Sequence, residues 1–293
     1  MRINQKAYAL HQSPLFKVRS KKRLCAVLRI SPGDLRQLTK SHGVLYSEFE
    51  VEKKDGSPRG VENPRRDLKL VQARIARLLS RITPPDYLFC PVKGRSYVSN
   101  AAHHAGQRIV RCLDIRKYFP STPSRRVYWF FHSVMQCERD VAAALASLAT
   151  YKGHLPTGSP LSPIMAFFAH YDVWEAVAAL CKANGYRLTV YIDDVTISGA
   201  SLSPSVIWDV KRIIHGAGLR YHKEKHFVDR PAEVTGVVIE GVNLRPPNRH
   251  LKSITETRKA LGRKLSSKRI TELESRLTGL QGTLAQIAAH DAK

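Results

Sequence analysis

The chain has few acidic residues and few cysteines for its length. Its 293 residues contain 24 Asp and Glu against 48 Lys and Arg, which leaves a formal net charge of +24. This imbalance favours a polyanionic partner such as nucleic acid. The five cysteines are scattered without any Cys-x-x-Cys spacing. That pattern argues against a disulfide scaffold and fits the reduced thiols of a cytosolic protein.

Long apolar segments are also missing. No run is long enough to span a bilayer, and the opening Met-Arg-Ile-Asn-Gln-Lys lacks the apolar core of a secretory signal. We therefore expect a cytoplasmic protein without a membrane partner. Hydrophobic residues make up 43% of the composition, which is enough to fill one large domain or two small ones.

Two consecutive carboxylates, Asp193 and Asp194, lie inside the β-branched run of residues 187–199. The run alternates as a half-buried strand does, with Leu188 and Val190 on one face and Thr189 on the other. The acids therefore fall at the bend of a predicted hairpin. Asp is common in turns, but hairpin turns favour Asn-Gly or Asp-Gly. Adjacent like charges are costly unless a cation is bound, so we favour a metal site.

The best candidate for a third carboxylate is Asp114, which ends the strand-like segment of residues 108–114. Three carboxylates on adjacent strands can hold two Mg²⁺ ions, because Mg²⁺ prefers oxygen ligands. Two such ions can activate an attacking hydroxyl and stabilise a departing oxygen in an in-line displacement. This pattern predicts phosphoryl-transfer chemistry, which depends mainly on positioning and charge neutralisation.

Other segments predict an α+β chain. Residues 46–53 and 59–62 read as a basic hairpin, and a helix with apolar spacing from Leu68 to Ile82 follows Pro64. Residues 164–181 are apolar on most sides, which predicts one buried helix. The chain beyond residue 249 is helical and basic in pattern, with a joint at Ser266 and Ser267.

Three motifs occur in the order of a reverse transcriptase palm. They are Leu-Asp-Ile-Arg-Lys-Tyr-Phe-Pro-Ser at 113–121, Leu-Pro-Thr-Gly-Ser-Pro-Leu-Ser-Pro at 155–163, and Tyr-Ile-Asp-Asp at 191–194. The chain most resembles the bacterial retron reverse transcriptases, because Asn-Ala-Ala-His-His at 100–104 and Val-Thr-Gly at 234–236 resemble two retron elements. The resemblance runs from the hairpin at Lys54 to Gly236.

The resemblance implies an α+β right-hand polymerase. Residues 1–45 would form an N-terminal helical extension, and residues 46–108 the fingers, with inserted helices at about 125–155. Residues 109–240 would form the palm, an antiparallel sheet with helices. Residues 241–293 would form a short helical thumb.

The resemblance also implies roles for the acids. Asp114, Asp193 and Asp194 would be the catalytic metal ligands, and the backbone carbonyl of Ile115 would complete the site. The cofactor would be two Mg²⁺ ions, with Mn²⁺ as a substitute.

Residues around these acids would bind the incoming deoxynucleoside triphosphate. Phe119 would be the steric gate against a ribose 2′-hydroxyl, although a core aromatic is the alternative. Lys225 would contact the triphosphate, unless it is a solvated lysine. The nucleotide site would also include a floor under the templating base and the incoming nucleotide, shaped by Pro156, Gly158, Ser159 and Pro160. Lys54 and Arg59 of the hairpin would meet the triphosphate.

A further set would bind nucleic acid. Its members are Asn100, His104, Tyr191, Val234, Thr235, Gly236, Arg66 and Lys69. The alternative for Arg66 and Lys69 is a solvated helix face, and for His104 a packing role.

The sequence departs from the family pattern at two positions. Thr157 stands where Gln is usual, which puts a side-chain contact to the template in doubt, and Lys117 replaces a frequent acid. His222 and His226 have metal-like spacing only on a helix. We interpret their segment as extended, with the histidines at the surface or on RNA. For Asp172 we expect a structural hydrogen bond.

The resemblance implies that the protein copies part of its own structured non-coding RNA into single-stranded DNA. Synthesis would be primed from an internal guanosine 2′-hydroxyl and would give branched RNA–DNA. Systems of this kind act in antiphage defence, usually with a separate effector protein. The alternatives are a reverse transcriptase of a group II intron or a diversity-generating element, and a non-catalytic RNA-binding scaffold on the same fold.

Overall fold

The computed structural model describes residues 7–40, 42–52, 56–263 and 266–291. The helices in these ranges are α1 (Lys21–Leu28), α2 (Pro32–Lys40), α3 (Arg66–Leu79), α4 (Tyr97–Ala102), α5 (Ser124–Trp129), α6 (Arg139–Ala149), α7 (Ser162–Ala169), α8 (Tyr171–Ala183), α9 (Pro204–Gly216), α10 (Asn248–Leu261) and α11 (Ser267–Asp291). The strands are β1 (Tyr46–Glu52), β2 (Pro58–Pro64), β3 (Leu88–Cys90), β4 (Ile109–Ile115), β5 (Arg187–Tyr191), β6 (Asp194–Gly199), β7 (Tyr221–Val228), β8 (Ala232–Val234), β9 (Val237–Glu240) and β10 (Asn243–Arg245). The predicted α+β class is confirmed.

A central sheet has the strand order β3-β5-β6-β4-β7. The neighbours from β5 to β7 are antiparallel, and only β3 joins its neighbour in parallel. Helix α8 contacts β5 and packs against α9. The sheet therefore places the ends of β4 and β5 and the start of β6 side by side.

The β1–β2 hairpin is a separate two-stranded sheet in which Tyr46 pairs with Pro64 and Glu52 with Pro58. Helix α3 follows it directly and buries the predicted apolar stripe, including Leu68 and Ile75. Helices α1, α2, α3 and α6 pack on one another. Their apolar faces join the sheet in the main hydrophobic core.

A second, smaller core lies around the three-stranded sheet β8–β10. It unites Val98 and Ala101 of α4, Val234 and Ile239 of that sheet, and Ile287 of α11. Helices α10 and α11 pack against each other, and they end and begin on either side of the predicted joint. The C-terminal helices are therefore attached through α4 and β10 rather than through the main core.

The single helix predicted for residues 164–181 is wrong. The segment forms α7 and α8, bent by 66°, with the buried His170 between them. Both pieces are apolar, so the composition gave no sign of the break. Within the described ranges no single helix is long and apolar enough to cross a membrane; α7 and α8 reach that length and composition only as this bent pair.

Candidate active site

The hairpin of β5 and β6 carries the two consecutive acids. Tyr191 and Asp194 pair across it, so Ile192 and Asp193 form the turn. Ile192 has a φ of +57°, a conformation that is unusual for a β-branched residue. Such backbone strain is on the order of 1–3 kcal/mol and is concentrated at functional sites. The predicted hairpin is confirmed, with its strained residue directly before the acids.

Asp114 reaches this turn from the neighbouring strand. In β4 it pairs with Asp194 of β6, and the Ile115 N–H donates a hydrogen bond to the carbonyl oxygen of Asp193 at 2.8 Å. Asp114 lies far from Asp193 and Asp194 in the sequence, and strand register brings it beside them. Their predicted proximity is confirmed.

The environment of Asp193 and Asp194 disfavours the charged forms of their carboxyls. Burial raises the pKa of Asp194 to about 6, and the charges of Asp193 and Asp114 add to the shift. Desolvation at the turn also raises the pKa of Asp193, and the charge of Asp114 adds to it, while Arg59 and His222 oppose the shift. A cation at this point would remove the repulsion among the carboxylates.

His222 was not predicted at the site. Its Nδ1 lies 3.3 Å from Oδ1 of Asp114, because β7 pairs with β4. The extended form predicted for this segment is confirmed. We predicted His222 at the surface or on RNA, and it is exposed, but the sequence carried no signal for the pairing of β7 with β4 that brings it to Asp114.

The donor set suits a hard divalent cation. Asp114, Asp193 and Asp194 offer only oxygen ligands, which Mg²⁺ and Mn²⁺ prefer. Among the described residues, no three His, Cys, Asp or Glu side chains are already gathered as a metal-ligand set. The fit therefore rests on the donor chemistry and on the raised pKa of the Asp193 and Asp194 carboxyls.

A cavity of about 950 Å³ is lined by Asp114, Asp193 and residues of the β1–β2 hairpin. Asp114 and Asp193 line it on one side, and Arg59 lines it from β2. The predicted nucleotide-site residues Ile115 and Phe119 line it as well. Phe119 is only partly buried against the main core, so its ring contributes to the cavity wall. Lys54 lies outside the described residues.

Another cavity of about 450 Å³ is lined by Asp114 and Asp194. Tyr191 and Lys225 line it together. Lys225 therefore belongs to this smaller cavity, whereas Arg59 belongs to the larger one. The structure does not bring these two predicted triphosphate contacts into one cavity.

The loop after α6 binds the β1–β2 hairpin through strand β2. Thr157 Oγ1 accepts a hydrogen bond from the Glu62 N–H and donates one to the Gly60 carbonyl, each at 3.1 Å. A Cβ on Gly158 would stand 2.7 Å from the Glu62 carbonyl oxygen and 2.9 Å from the Asn63 Cα. We predicted that Gly158 lets backbone approach a ligand. The structure corrects this: the close approach is to strand β2.

Pro156 and Ser159 lie beneath this contact rather than in the cavity. Both are buried, and Ser159 Oγ donates to Gln72 Oε1 at 2.7 Å. Gln72 Nε2 in turn donates to the Tyr46 hydroxyl at the start of β1. These residues support the loop from below, and neither lines the larger cavity, so their predicted place at the nucleotide site is corrected to a supporting role.

His104 is fully buried. Its Nδ1 lies 2.7 Å from Ser198 Oγ and its Nε2 2.8 Å from Thr189 Oγ1. Burial lowers the pKa of His104 to about 3, so the ring is neutral. A direct nucleic-acid contact by His104 is wrong, since its ring nitrogens are occupied by β5 and β6. Thr189 is also buried, so β5 is covered on both faces, not one.

Asn100 and Val234 are buried as well, and the nucleic-acid contact predicted for them is corrected to packing. Asn100 Nδ2 donates to Thr235 Oγ1 at 3.2 Å, and that hydroxyl donates to the Tyr97 carbonyl at 3.0 Å. The two retron-like elements therefore bind each other. Of their members, Thr235 and Gly236 line the smaller cavity beside Tyr191.

The basic face of α3 starts beside the β1–β2 hairpin. Arg66 and Lys69 are exposed, and Lys69 Nζ donates to Asn63 Oδ1 at 2.9 Å. Both stay open to a phosphate backbone. The Arg74 guanidinium, by contrast, turns inward to the Val27 carbonyl. For Asp172 the structural role is confirmed, since both its carboxylate oxygens bind Arg126.

Residues 51–239 match the family model of the reverse transcriptase (RNA-dependent DNA polymerase). The chain therefore belongs to the reverse transcriptase family, whose members in general use divalent metal ions.

Curated relatives narrow the similarity. The chain is 32% identical over 205 residues to the retron Se72 reverse transcriptase of Salmonella heidelberg (strain 579083-10), covering 68% of this chain and 53% of that protein. It is 29% identical over 219 residues to the retron Ec86 reverse transcriptase of Escherichia coli, covering 72% of this chain and 68% of that protein. It is 30% identical over 251 residues to the retron Mx65 reverse transcriptase of Myxococcus xanthus, covering 75% of this chain and 58% of that protein.

The chain thus spans about half to two thirds of the length of these relatives. The resemblance to bacterial retron reverse transcriptases is confirmed.

Proposed function

We propose that this chain is an RNA-directed DNA polymerase of a retron. The observation that carries the proposal is the register that pairs Asp114 with Asp194, at the wall shared by two cavities. A polymerase needs two reacting partners at one point, an incoming nucleotide and a primer terminus. Two cavities that meet at the acids suit that requirement.

The fold is assigned to the parts of a right-handed polymerase. Residues 46–108 act as fingers, residues 109–240 as palm and residues 241–293 as thumb, after an extension at residues 1–45. The separate β1–β2 sheet supports the fingers assignment, and the attachment of α10 and α11 through the smaller core supports a distinct thumb.

The larger cavity receives the deoxynucleoside triphosphate. Arg59 lines the same cavity as Asp193 and supplies positive charge for the phosphates. Phe119 in the cavity wall excludes a ribose 2′-hydroxyl by its bulk. Lys117 and Arg116 also line the cavity and add to the cationic surface that draws the triphosphate in.

The smaller cavity receives the primer strand. Tyr191, Thr235 and Gly236 border it and hold the terminal nucleotide against Asp194. Lys225 in the same cavity binds the backbone phosphate of the primer in this arrangement.

The acids would hold the divalent ions. Asp114, Asp193 and Asp194 are the ligands, with the Ile115 carbonyl oxygen. Bound there, Mg²⁺, or Mn²⁺ in its place, would supply activation of the attacking hydroxyl and stabilisation of the leaving oxygen.

The substrate we propose is a structured non-coding RNA, copied in part into single-stranded DNA from an internal guanosine 2′-hydroxyl. The branched RNA–DNA product would serve antiphage defence with a separate effector protein. Support comes from the retron names of the relatives and from the net charge of +24. Arg66 and Lys69 on α3 offer a track for the RNA backbone.

The test compares the protein with Asp193→Asn and Asp194→Asn variants. We expect each variant to bind RNA as the unaltered protein does and to lose DNA synthesis. RNA binding is measured by filter retention and synthesis by primer extension with deoxynucleotides. DNA synthesis at the unaltered rate in the double variant would exclude the mechanism.

The retron assignment needs a different experiment. The protein is purified from its native host, and the bound nucleic acid is sequenced and treated with a debranching enzyme. A single RNA species linked by a 2′–5′ bond to DNA is expected. Intron RNA or a mixture of cellular RNAs would exclude a retron role.

A further inference from the structure

Thr157 makes two hydrogen bonds with the backbone of strand β2. Its hydroxyl accepts from the Glu62 N–H and donates to the Gly60 carbonyl. The next residue, Gly158, donates its own N–H to the Glu62 carbonyl at 3.1 Å. Residues 157 and 158 therefore bind β2 through its main chain, independent of the side chains that β2 carries.

Strand β2 also carries Arg59, directly before Gly60. Arg59 and Asp193 line the same cavity, and the positive charge of Arg59 partly offsets the raised pKa of Asp193. The Thr157 hydroxyl thus holds the peptide next to the one cation that β2 presents to the acids.

We propose that Thr157 is a positioning residue for nucleotide binding. Its hydroxyl fixes the position of strand β2 relative to Asp193 and thereby places the Arg59 guanidinium for the triphosphate. This inference rests on the proposed function. Thr157 itself lines the cavity, but its only side-chain polar atom is directed at β2. It acts on the nucleotide through Arg59.

Other contacts keep the hairpin attached when this hydroxyl is removed. Glu48 on β1 accepts hydrogen bonds from the Tyr151 hydroxyl at 2.6 Å and from Lys152 Nζ at 2.8 Å. The Glu62 carboxylate lies 3.1 Å from His154 Nε2, and Tyr46 stacks on Tyr151 with ring centroids 4.2 Å apart. Loss of the Thr157 hydroxyl should therefore loosen β2 locally and leave the fold intact.

The experiment compares Thr157→Val, which keeps the shape and removes the hydroxyl, with Thr157→Ser, which keeps the hydroxyl. Single-nucleotide incorporation is measured on a primed RNA template. We expect Thr157→Val to raise the KM for the deoxynucleotide about five- to tenfold, the value of one or two hydrogen bonds. The kcat should stay within about twofold, and Thr157→Ser should restore the KM.

A double-mutant cycle tests whether the effect passes through Arg59. In an Arg59→Met background, Thr157→Val should add less than about twofold to the KM, because the group that it positions is gone. Hydrogen exchange at the Glu62 amide should be faster in Thr157→Val than in the unaltered protein.

Three results would overturn the inference. They are an unchanged KM in Thr157→Val, equal multiplicative effects with and without Arg59, and a failure of Thr157→Ser to restore the KM. Absence of incorporation by the unaltered protein overturns the proposed function and this inference with it. An active Thr157→Val variant with the unaltered KM overturns this inference alone.

Discussion

Asp193 and Asp194 are adjacent in the chain and line different cavities. Asp193 lines the larger cavity beside Arg59, and Asp194 lines the smaller one beside Lys225. Asp114 lines both. The tight turn therefore divides two carboxylates between two compartments, with a third carboxylate common to them.

The first prediction concerns the stability of the metal-free protein. The folded pKa of Asp194 is about 6, raised above the ordinary value of a carboxyl. Because the folded protein holds the Asp194 proton more tightly than the unfolded chain does, the protonated carboxyl favours the folded state. This contribution to the free energy of unfolding is fully present below about pH 4 and is lost as the pH rises through 6. At pH 8 with a chelator, Asp194→Asn should therefore be more stable, by on the order of 2 kcal/mol, seen as a melting temperature a few degrees higher.

Magnesium should make the unaltered protein more stable than Asp194→Asn. Added Mg²⁺ should raise the melting temperature of the unaltered protein and not that of Asp194→Asn. Asp209→Asn is the control, because Asp209 forms an exposed pair with Arg212. An equal response to Mg²⁺ in all three proteins would argue against Asp194 as a ligand.

The second prediction concerns sugar discrimination. Phe119→Ala should open the wall of the larger cavity and admit ribonucleotides, lowering the preference for deoxynucleotides about 10- to 200-fold. Phe119→Tyr keeps the ring and should keep the preference. Primer extension with each nucleotide class measures the ratio of kcat/KM values. If discrimination is unchanged while the melting temperature falls, Phe119 is only a packing residue.

The third prediction concerns the approach of β2 to the loop. Gly158→Ala places a Cβ 2.7 Å from a backbone oxygen of Glu62, so the hairpin must shift. We expect a destabilisation of about 1–3 kcal/mol and a higher KM for the nucleotide. Gly60→Ala is the matched control on the same contact, because nothing lies within 4 Å of its added Cβ. Urea denaturation of both variants measures the difference in stability. Equal denaturation midpoints for Gly158→Ala and Gly60→Ala would contradict the expectation.

The fourth prediction concerns acid sensitivity. The pKa of His104 is lowered to about 3 in the fold, so between that value and its ordinary value near 6.5 the unfolded chain binds the extra proton. The contribution of His104 to the free energy of unfolding is therefore fully present above pH 6.5 and falls as the pH drops below that value. From pH 7 to pH 5 the loss from His104 alone should be about 2 kcal/mol.

His104→Gln should weaken this pH dependence. It should not abolish it, because burial also lowers the pKa of His170, to about 4. The free energy of unfolding in urea at pH 7 and pH 5 gives the slope for each protein. Identical slopes in the unaltered protein and the variant would show that His104 is not the titrating group.

Much of the local structure followed from the sequence. Alternation predicted the β5–β6 hairpin, and apolar spacing predicted α3, because both signals depend on neighbouring residues. Asp114 was chosen as the third carboxylate because it ends a strand-like segment, and the motif resemblance then gave it the same role. The register that pairs Asp114 with Asp194 is a long-range property of the sheet.

The errors arose where tertiary contacts decide. The break at His170 was hidden by two equally apolar helices. Asn100 and His104 occur in a motif that suggested RNA contact, yet Asn100 binds Thr235 in the turn between β8 and β9, and His104 binds Ser198 on β6. His222 reaches Asp114 only through the pairing of β4 with β7. None of these contacts has a local sequence signal.

The buried imidazole of His104 has a consequence for accurate folding. It bridges Thr189 on β5 and Ser198 on β6, the two strands that carry the acidic turn. A slip of one residue between these strands would reverse the direction of every side chain on the moved strand. It would leave one imidazole nitrogen buried without its partner, at a cost of about 1–3 kcal/mol. Misaligned hairpins are thereby penalised at a position remote from the chemistry, and only the correctly aligned chain sends Asp193 and Asp194 to their separate compartments.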